Sequence, residues 1–305
     1  MYKKNIVLAA LIVAIPLIAN AQNTRSAVAV TGSDAATCTV PDPCRTFGVA
    51  LSKTNSGGEV VVLSSGGYGP FEVFQSVTIV SPPGIYAAIA PPSSGTAIRI
   101  SGPSGNSVVL RGLYLNGSLG GFFGVFVAST GTLVYLENLV IAGFSSSGFT
   151  GVHNLQSDVR MKDSFLRNND IGISLVGTSG TARARVTIDH CRLEGHTYGL
   201  SSNNYSDATV TNSLFTGNFR GVSIDSFSAD IDARINIDNS VFAQNSVGIF
   251  AIRPLALIRV SSSTITQNTQ YALDIQQGAQ VMSAGNNVVI DNAAKETFTG
   301  TFTLQ

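Results

Sequence analysis

The chain has 305 residues, of which 31 are glycine and 12% are charged. Its formal net charge of zero argues against a nucleic-acid partner, because such binding usually requires a basic patch or stripe. Helix-forming residues are sparse, while Ser, Thr, Val, Ile, Asn and Gly dominate, a mixture typical of many short strands and turns.

The N-terminus has the pattern of a secretory signal peptide. Two lysines precede an apolar stretch at residues 6–18, and an A-x-A cleavage site follows at residues 19–21. The apolar stretch is short for a membrane span. We therefore expect residues 1–21 to be removed and the mature chain to begin at Gln22. The protein is then exported, either secreted or periplasmic, with no membrane span.

The mature chain contains three cysteines. Cys38 and Cys44 flank a short loop on the exported side, where disulfides persist, so we expect them to be bridged. Cys191 occupies a turn position at which similar segments of the chain carry serine. We interpret it as a small buried thiol that replaces a serine, since a nucleophilic cysteine would need an activating environment.

A short helix is predicted near the start of the mature chain. Asp42-Pro43 has the character of an N-cap followed by a first-turn proline. Phe47 and Leu51 then lie on one apolar face, and Gly57-Gly58 ends the helix. We expect residues 22–58 to form an N-terminal segment whose helix caps the open end of the structure that follows.

An asparagine-rich turn recurs through the second half of the chain. Residues 185–196 and 234–245 match position by position in their apolar, turn and closing polar residues. Counted from the closing residue, the units repeat at steps of 27, 22, 27, 23 and 24 residues. The closing residues are Asn169, His196, Asn218, Asn245, Asn268 and Asn292. A period of this length indicates stacked structural units.

The repeat predicts a parallel β-helix over residues 59–292, with about ten coils and a C-terminal tail at residues 293–305. Alternating residues such as Val186 and Ile188 share one face of a strand. A single unit cannot bury this face, whereas stacked units can. The closing asparagines would then form a hydrogen-bonded ladder. A β-sandwich also has many short strands, but it would not produce matched columns across six units.

The repeat resembles that of the right-handed parallel β-helix proteins of the pectin-lyase-like superfamily. The matching positions of two coils are Val186, Ile188, Cys191, Leu193 and His196, and Ile235, Ile237, Ser240, Phe242 and Asn245. Residues 43–70 resemble the opening of secreted bacterial members. The resemblance implies an all-β, right-handed parallel β-helix. It is not specific for activity, since this fold carries lyases, hydrolases and adhesins.

Enzymes of this superfamily act on acidic polysaccharides in a groove along one sheet, so outward positions are the candidates for a site. One predicted outward column contains Arg160, Thr187, Thr209, Asn236 and Arg259. The next contains Lys162, Asp189, Thr211, Asp238 and Ser261. The candidate glycan-contacting residues are Arg160, Lys162, Arg185 and Asp189. The alternative is a solvated face on which Lys162 and Asp189 form a weak ion pair across coils.

No catalytic residues can be assigned, because the characteristic motifs of pectate lyases and polygalacturonases are absent. No cofactor is expected, although Asp225, Asp230 and Asp232 could supply oxygen ligands to Ca²⁺. We therefore predict a secreted, non-enzymatic protein for surface recognition or an envelope scaffold, with a polysaccharide or cell-envelope glycan as partner. The alternative is a polysaccharide lyase or glycoside hydrolase acting on acidic polysaccharide. The oligomeric state is left open.

Overall fold

The computed structural model describes residues 22–225, 231–294 and 297–303, so the predicted signal peptide at residues 1–21 lies outside the described residues. The described chain forms one short helix, α1 (Phe47–Ser52), and 29 strands. The strands, in chain order, are β1 (Asn23–Val28), β2 (Thr54–Val62), β3 (Gly66–Tyr68), β4 (Phe71–Val73), β5 (Val77–Val80), β6 (Ala87–Ile89), β7 (Thr96–Ile100), β8 (Ser107–Arg111), β9 (Leu113–Asn116), β10 (Phe123–Glu137), β11 (Val140–Ala142), β12 (Thr150–Lys162), β13 (Phe165–Arg167), β14 (Ile171–Leu175), β15 (Ala184–Asp189), β16 (Arg192–Glu194), β17 (Tyr198–Ser202), β18 (Ser206–Thr211), β19 (Leu214–Thr216), β20 (Arg220–Asp225), β21 (Ala233–Asp238), β22 (Val241–Ala243), β23 (Val247–Ile252), β24 (Ala256–Ser261), β25 (Thr264–Thr266), β26 (Tyr271–Gln276), β27 (Gln280–Ser283), β28 (Val288–Ile290) and β29 (Gly300–Thr301).

Each coil contributes three strands, which stack in parallel on three faces. The first face contains β2, β5, β8, β15, β18, β21, β24 and β27, together with the C-terminal halves of β10 and β12. The second face is a separate ten-stranded sheet from β3 to β28, and the third face runs from β4 to β26. β10 and β12 continue from the third face into the first, so these two faces share one hydrogen-bonded sheet.

The predicted parallel β-helix is confirmed. In the described residues the strand triplet is complete nine times, and the last coil lacks a third-face strand, so the coil count differs slightly from ten. The described residues contain no helix long and apolar enough to cross a membrane.

The core consists of apolar columns that run along the axis. On the second face, Leu166, Leu193, Phe215, Phe242 and Ile265 follow one another in register and are fully buried. The rings of Phe215 and Phe242 stack with their centroids 5.0 Å apart. Burying each such side chain contributes about 1.5–3 kcal/mol. This column fixes the register of successive coils, and thereby the positions of the outward residues.

The closing asparagines form a buried ladder at the turn between the second and third faces. The backbone N–H and side-chain Nδ2 of Asn218 donate to Oδ1 of Asn245, at 3.0 Å and 2.9 Å. Nδ2 of Asn245 in turn donates to the carbonyl of Phe215 at 3.0 Å. Backbone bonds of the same kind link the rungs from Asn169 to Asn292. The ladder therefore satisfies backbone groups that the buried turn would leave unpaired.

His196 replaces asparagine on one rung of this ladder. Its Nδ1 lies 3.1 Å from the backbone N of Asn169, and its Nε2 lies 3.2 Å from the carbonyl oxygen of Leu166. A neutral ring with the proton on Nε2 satisfies both groups, as an asparagine amide does. Burial lowers the pKa of His196 to about 4, although the hydrogen bonds to Asn169 and Leu166 oppose the shift.

A serine ladder lies at the other end of the second face, and Cys191 is one of its rungs. Oγ of Ser213 accepts from the Cys191 N–H at 3.1 Å and donates to the Thr211 carbonyl at 2.7 Å. Sγ of Cys191 similarly donates to the Asp189 carbonyl at 3.3 Å. Burial raises the pKa of the thiol to about 12. Cys191 is thus a buried, unreactive substitute for serine, as its column predicted.

A glycine column follows the asparagine ladder at the start of the third face. A Cβ on Gly199 would lie 2.5 Å from the carbonyl oxygen of Gly221, and one on Gly221 would lie 2.6 Å from that of Gly248. No real side chain tolerates such contacts with backbone. From Gly124 to Gly248 the coils therefore approach too closely for a side chain, whereas the equivalent position is alanine toward the two ends of the column, at Ala97 of β7 and Ala272 of β26.

The N-terminal segment closes one end of the solenoid. The predicted disulfide between Cys38 and Cys44 is confirmed. Phe47 and Leu51 of α1 are buried, and the ring centroid of Phe47 lies 4.5 Å from that of Phe71.

The predicted limits of the helix were wrong. Thr46, rather than Asp42, is the N-cap, and its Oγ1 accepts from the Val49 N–H at 3.4 Å. Asp42 instead accepts from the backbone N–H of Thr37 at 2.8 Å and from its hydroxyl at 2.9 Å. The helix ends before β2 begins, so Gly57-Gly58 lies within a strand rather than at a helix end.

Candidate functional site

Outward residues of the first face form a shallow polar surface, which we call the first-face trough. Its central column, on β12, β15, β18, β21 and β24, has the predicted register of Arg160, Thr187, Thr209, Asn236 and Arg259. Adjacent strands lie about 4.8 Å apart, so the column is about 19 Å long. The column therefore has one guanidinium group at each end and hydroxyl and amide groups between them.

Aromatic side chains lie at both ends of the trough, and the sequence analysis identified neither. Tyr135 precedes Arg160 in register, and the Arg160 guanidinium lies 5.5 Å from the ring centroid, a cation–π contact. Beyond Asn236, Phe302 of the C-terminal segment helps to enclose a cavity of about 200 Å³ lined by Arg259 and Asp238. The segment is held there because β29 pairs with β27.

Alternating charges line one flank of the trough. Asp158, Arg185, Asp207 and Arg234 follow one another in register. Arg185 lies 3.3 Å from Asp158 and 3.7 Å from Asp207. About half of the Arg185 side chain is exposed, so these pairs contribute little to stability. They nevertheless direct the guanidinium of Arg185 toward protein carboxylates.

Lys162 and Asp189 lie on the opposite flank. They are in register as predicted, but the carboxylate of Asp189 is bound on its other side. Oδ1 of Asp189 accepts from Asn212 Nδ2 at 2.8 Å and from Thr211 Oγ1 at 2.9 Å, and it lies 2.9 Å from Nδ1 of His190. The bonds from Asn212, His190 and Thr211 lower the pKa of Asp189 to about 2, against the effect of burial. The predicted Lys162–Asp189 ion pair is therefore replaced by hydrogen bonds from Thr211 and Asn212 of the next coil and by the contact with His190.

The predicted calcium cluster is only partly described. Asp230 lies outside the described residues. Asp232 pairs with Arg183 at 2.8 Å and with Arg234 at 3.0 Å, and the hydrogen bond from Arg183 lowers its pKa. In the part of the chain that the structure describes, no group of three or more His, Cys, Asp or Glu is placed to hold a metal ion.

The aromatic residues near position 122 lie on the third face, away from the trough. The rings of Phe123 and Phe126 stack at 4.9 Å, and His153 stacks on Phe123 at 5.1 Å. Burial lowers the pKa of His153 to about 4. The repeat pattern does not single out His153, because the coil that precedes it lacks the closing asparagine. This group stabilises the sheet and does not extend the trough.

Comparison with known proteins places the fold in a family. A family model described as "Right handed beta helix region" matches residues 96–253. A search of curated proteins finds no match. An alginate lyase from Paenibacillus sp. str. FPU-7 has a similar structure, with a TM-score of 0.62 and 16% identity over 92% of this chain and 100% of that chain. Pectate lyase Pel9A gives a TM-score of 0.60 and 14% identity over 92% and 80%.

A bacteriophage CBA120 tailspike domain gives a TM-score of 0.57 and 13% identity, over 81% of this chain and 44% of that chain. Identities this low show the shared fold alone. The family model nevertheless covers more than half of the sequence, and the parallel coils with their asparagine ladder agree with it. The chain therefore belongs to the right-handed β-helix family.

Proposed function

We propose that this is an exported glycan-binding protein that holds an acidic polysaccharide along the first-face trough without cleaving it. The observation that carries the proposal is the central column, in which Arg160 and Arg259 bracket a floor of Thr187, Thr209 and Asn236. Guanidinium groups bind carboxylates, and hydroxyl and amide groups both donate to and accept from sugar hydroxyls.

The repeat of the protein supports a polymeric ligand. Each coil presents its outward groups about 4.8 Å from those of the next coil. A chain of repeating units that lies parallel to the axis therefore meets a comparable group at each step. Tyr135 and Phe302 add apolar surface at the two ends of the column, where the C–H faces of sugars can pack. The names of two structural neighbours, an alginate lyase and a pectate lyase, support an acidic chain.

Binding is favoured over cleavage by the state of the carboxylates. Hydrogen bonds lower the pKa of Asp189 to about 2, which makes it a weak base at neutral pH. Asp189 and Asp238 lie two coils apart, about 10 Å. That separation exceeds the roughly 6.5–9.5 Å of an inverting carboxylate pair. Arg185 already faces Asp158 and Asp207, so it is a poor partner for a substrate carboxylate.

Calorimetric titration with hexagalacturonate and hexamannuronate tests the proposal. Arg160→Gln and Arg259→Gln should each weaken binding about tenfold, since a hydrogen bond to a charged group contributes about 1.5–3 kcal/mol. Arg25→Gln is the matched control, because Arg25 lies on the first strand of the same face and pairs with Glu59. It removes the same charge far from the trough and should leave the affinity unchanged.

Two outcomes would contradict the proposal. Equal weakening by Arg25→Gln would show that net charge, rather than the trough, controls binding. Unsaturated products or new reducing ends, formed in either oligosaccharide with or without Ca²⁺, would instead establish the alternative of a polysaccharide lyase or hydrolase.

A further inference from the structure

A second groove runs along the turn between the first and second faces, around the corner from the trough. We call it the turn groove. It encloses about 580 Å³ and is open to solvent. The polar rim of the groove is formed by Asp163, His190, Asn212 and Asn239. Its largely apolar floor is formed by Phe165, Arg192, Leu214 and Val241.

Left-handed backbone places the rim side chains at the outside of the turn. His190, Asn212 and Asn239 have φ values of 51°, 51° and 45°, in the region that non-glycine residues seldom adopt. They are exposed, and they occupy equivalent positions in three successive coils. The rim therefore presents one polar side chain per coil, spaced by about 4.8 Å.

Hydrogen bonds along the rim fix these side chains. Nδ2 of Asn239 donates to Oδ1 of Asn212 at 2.7 Å, and Nδ2 of Asn212 donates to Oδ1 of Asp189 at 2.8 Å. Nδ1 of His190 lies 2.9 Å from the same carboxylate oxygen. These bonds leave two side-chain atoms available to a ligand, Oδ1 of Asn239 and Nε2 of His190. Because the side chains are already held, a ligand would bind with little further loss of side-chain entropy.

The floor supplies apolar surface. Phe165, Arg192, Leu214 and Val241 form the outward column of the second face in consecutive coils. Val241 is 36% exposed. The guanidinium groups of Arg192 and Arg167 lie 5.6 Å and 5.7 Å from the centroid of the Phe165 ring. Apolar floor and amide rim together suit a ligand that has C–H faces and hydroxyl edges.

The charges of the turn groove disfavour an anion. The carboxylate of Asp163 lies on the rim, and Arg192 Nη2 already pairs with Oε2 of Glu194 at 2.7 Å. This arrangement contrasts with the arginines of the trough. An extended peptide would also fit poorly, because it advances about 3.3 Å per residue while the rim repeats at about 4.8 Å.

We infer that the turn groove binds a neutral oligosaccharide, separately from the acidic chain proposed for the trough. Oδ1 of Asn239 and Nε2 of His190 hydrogen-bond to the hydroxyls of the oligosaccharide, and Asn212 holds the Asn239 side chain in place. The C–H faces of the sugars pack on Phe165 and Leu214. The protein thus has two glycan sites of different charge on either side of one turn.

The test follows the side-chain amide signals of Asn212 and Asn239 by NMR, with cellohexaose, xylohexaose and mannohexaose as separate probes. At least one probe should shift both signals, and Asn212→Gly and Asn239→Gly should each weaken its binding about tenfold. Glycine keeps the left-handed backbone without strain. Asn168→Gly is the matched control, because Asn168 is an exposed left-handed asparagine (φ 52°) at the opposite turn.

The two glycan proposals fail separately. Arg160→Gln should leave neutral-probe binding unchanged, and Asn239→Gly should leave hexagalacturonate binding unchanged. The inference is overturned if no probe shifts the two amide signals, or if Asn168→Gly weakens binding as much as Asn239→Gly. It is also overturned if hexagalacturonate, or an extended peptide of alternating serine and valine, shifts those signals more strongly than every neutral probe.

Discussion

Replacing His196 by asparagine should remove part of the acid sensitivity of the fold. His196 is the one imidazole among the described rungs of the asparagine ladder, and burial lowers its pKa to about 4. In the unfolded chain its pKa returns to about 6.5. Between these two values the unfolded state binds a proton that the folded state excludes. Stability that is fully present above pH 6.5 is therefore lost as the pH falls toward 4.

The two pKa values set the size of the effect. A single group with these values destabilises the fold by about 2 kcal/mol between pH 7 and pH 5. Asparagine does not titrate, and at this rung it can accept from the Asn169 N–H and donate to the Leu166 carbonyl, as on the neighbouring rungs. His153, whose pKa is also lowered by burial, is present in both proteins and cancels in the comparison.

Urea unfolding at pH 7 and pH 5 measures the difference. The free energy of unfolding of His196→Asn should fall by about 2 kcal/mol less than that of the parent protein over this range. His190→Asn is the control, since it makes the same substitution at a largely exposed position. The backbone of His190 is left-handed, a conformation that asparagine also adopts. It should keep most of the parent's pH dependence. An unchanged pH dependence in His196→Asn would refute the account of a neutral, buried ring.

Three further substitutions test the ladders. Cys191→Ser should change the free energy of unfolding by less than about 1 kcal/mol, because serine forms the adjacent rung. A loss above about 3 kcal/mol in urea unfolding would contradict the role of Cys191 as a rung of the serine ladder. Gly221→Ala should lower the free energy of unfolding by about 2–4 kcal/mol in the same assay, since the new Cβ would lie 2.6 Å from the Gly248 carbonyl oxygen. Gly180→Ala is the control and should be nearly neutral, because its new Cβ would have no atom within 4 Å. Asn245→Ala should lower the free energy of unfolding by at least about 2 kcal/mol, because it leaves the buried N–H of Asn218 and the buried carbonyl of Phe215 unpaired. Asn168→Ala, at an exposed left-handed position, is the control, and an equal or larger loss in that variant would contradict the prediction.

The register of the trough could be predicted because the repeat carries its own reference point. Counting from each closing residue places Thr187 above Thr209 and Asn236 beside Arg259, although the steps vary from 22 to 27 residues. Loops absorb the variation in length, whereas the strand positions stay fixed by the inward apolar alternation. Backbone register thus follows from one-dimensional spacing.

Side-chain partners did not follow from spacing. Asp189 is in register with Lys162, yet it bonds to Asn212, which lies in the next coil and has left-handed backbone. The contact depends on the direction in which the turn sends the amide, and no residue count contains that information. Phe302 was missed for a related reason, since its position depends on tertiary packing of a segment that has no repeat.

The two grooves differ in charge because outward columns are the part of a coil that the fold leaves free. Most inward positions are apolar, the closing rung must donate and accept, and Gly124 to Gly248 of the third face have no room for a side chain. None of these requirements applies to an outward side chain. An arginine at position 160 and an asparagine at position 239 therefore do not destabilise the core. Each groove can therefore change its chemistry coil by coil while the backbone stays the same, which permits the two proposed glycan sites to lie side by side on one solenoid.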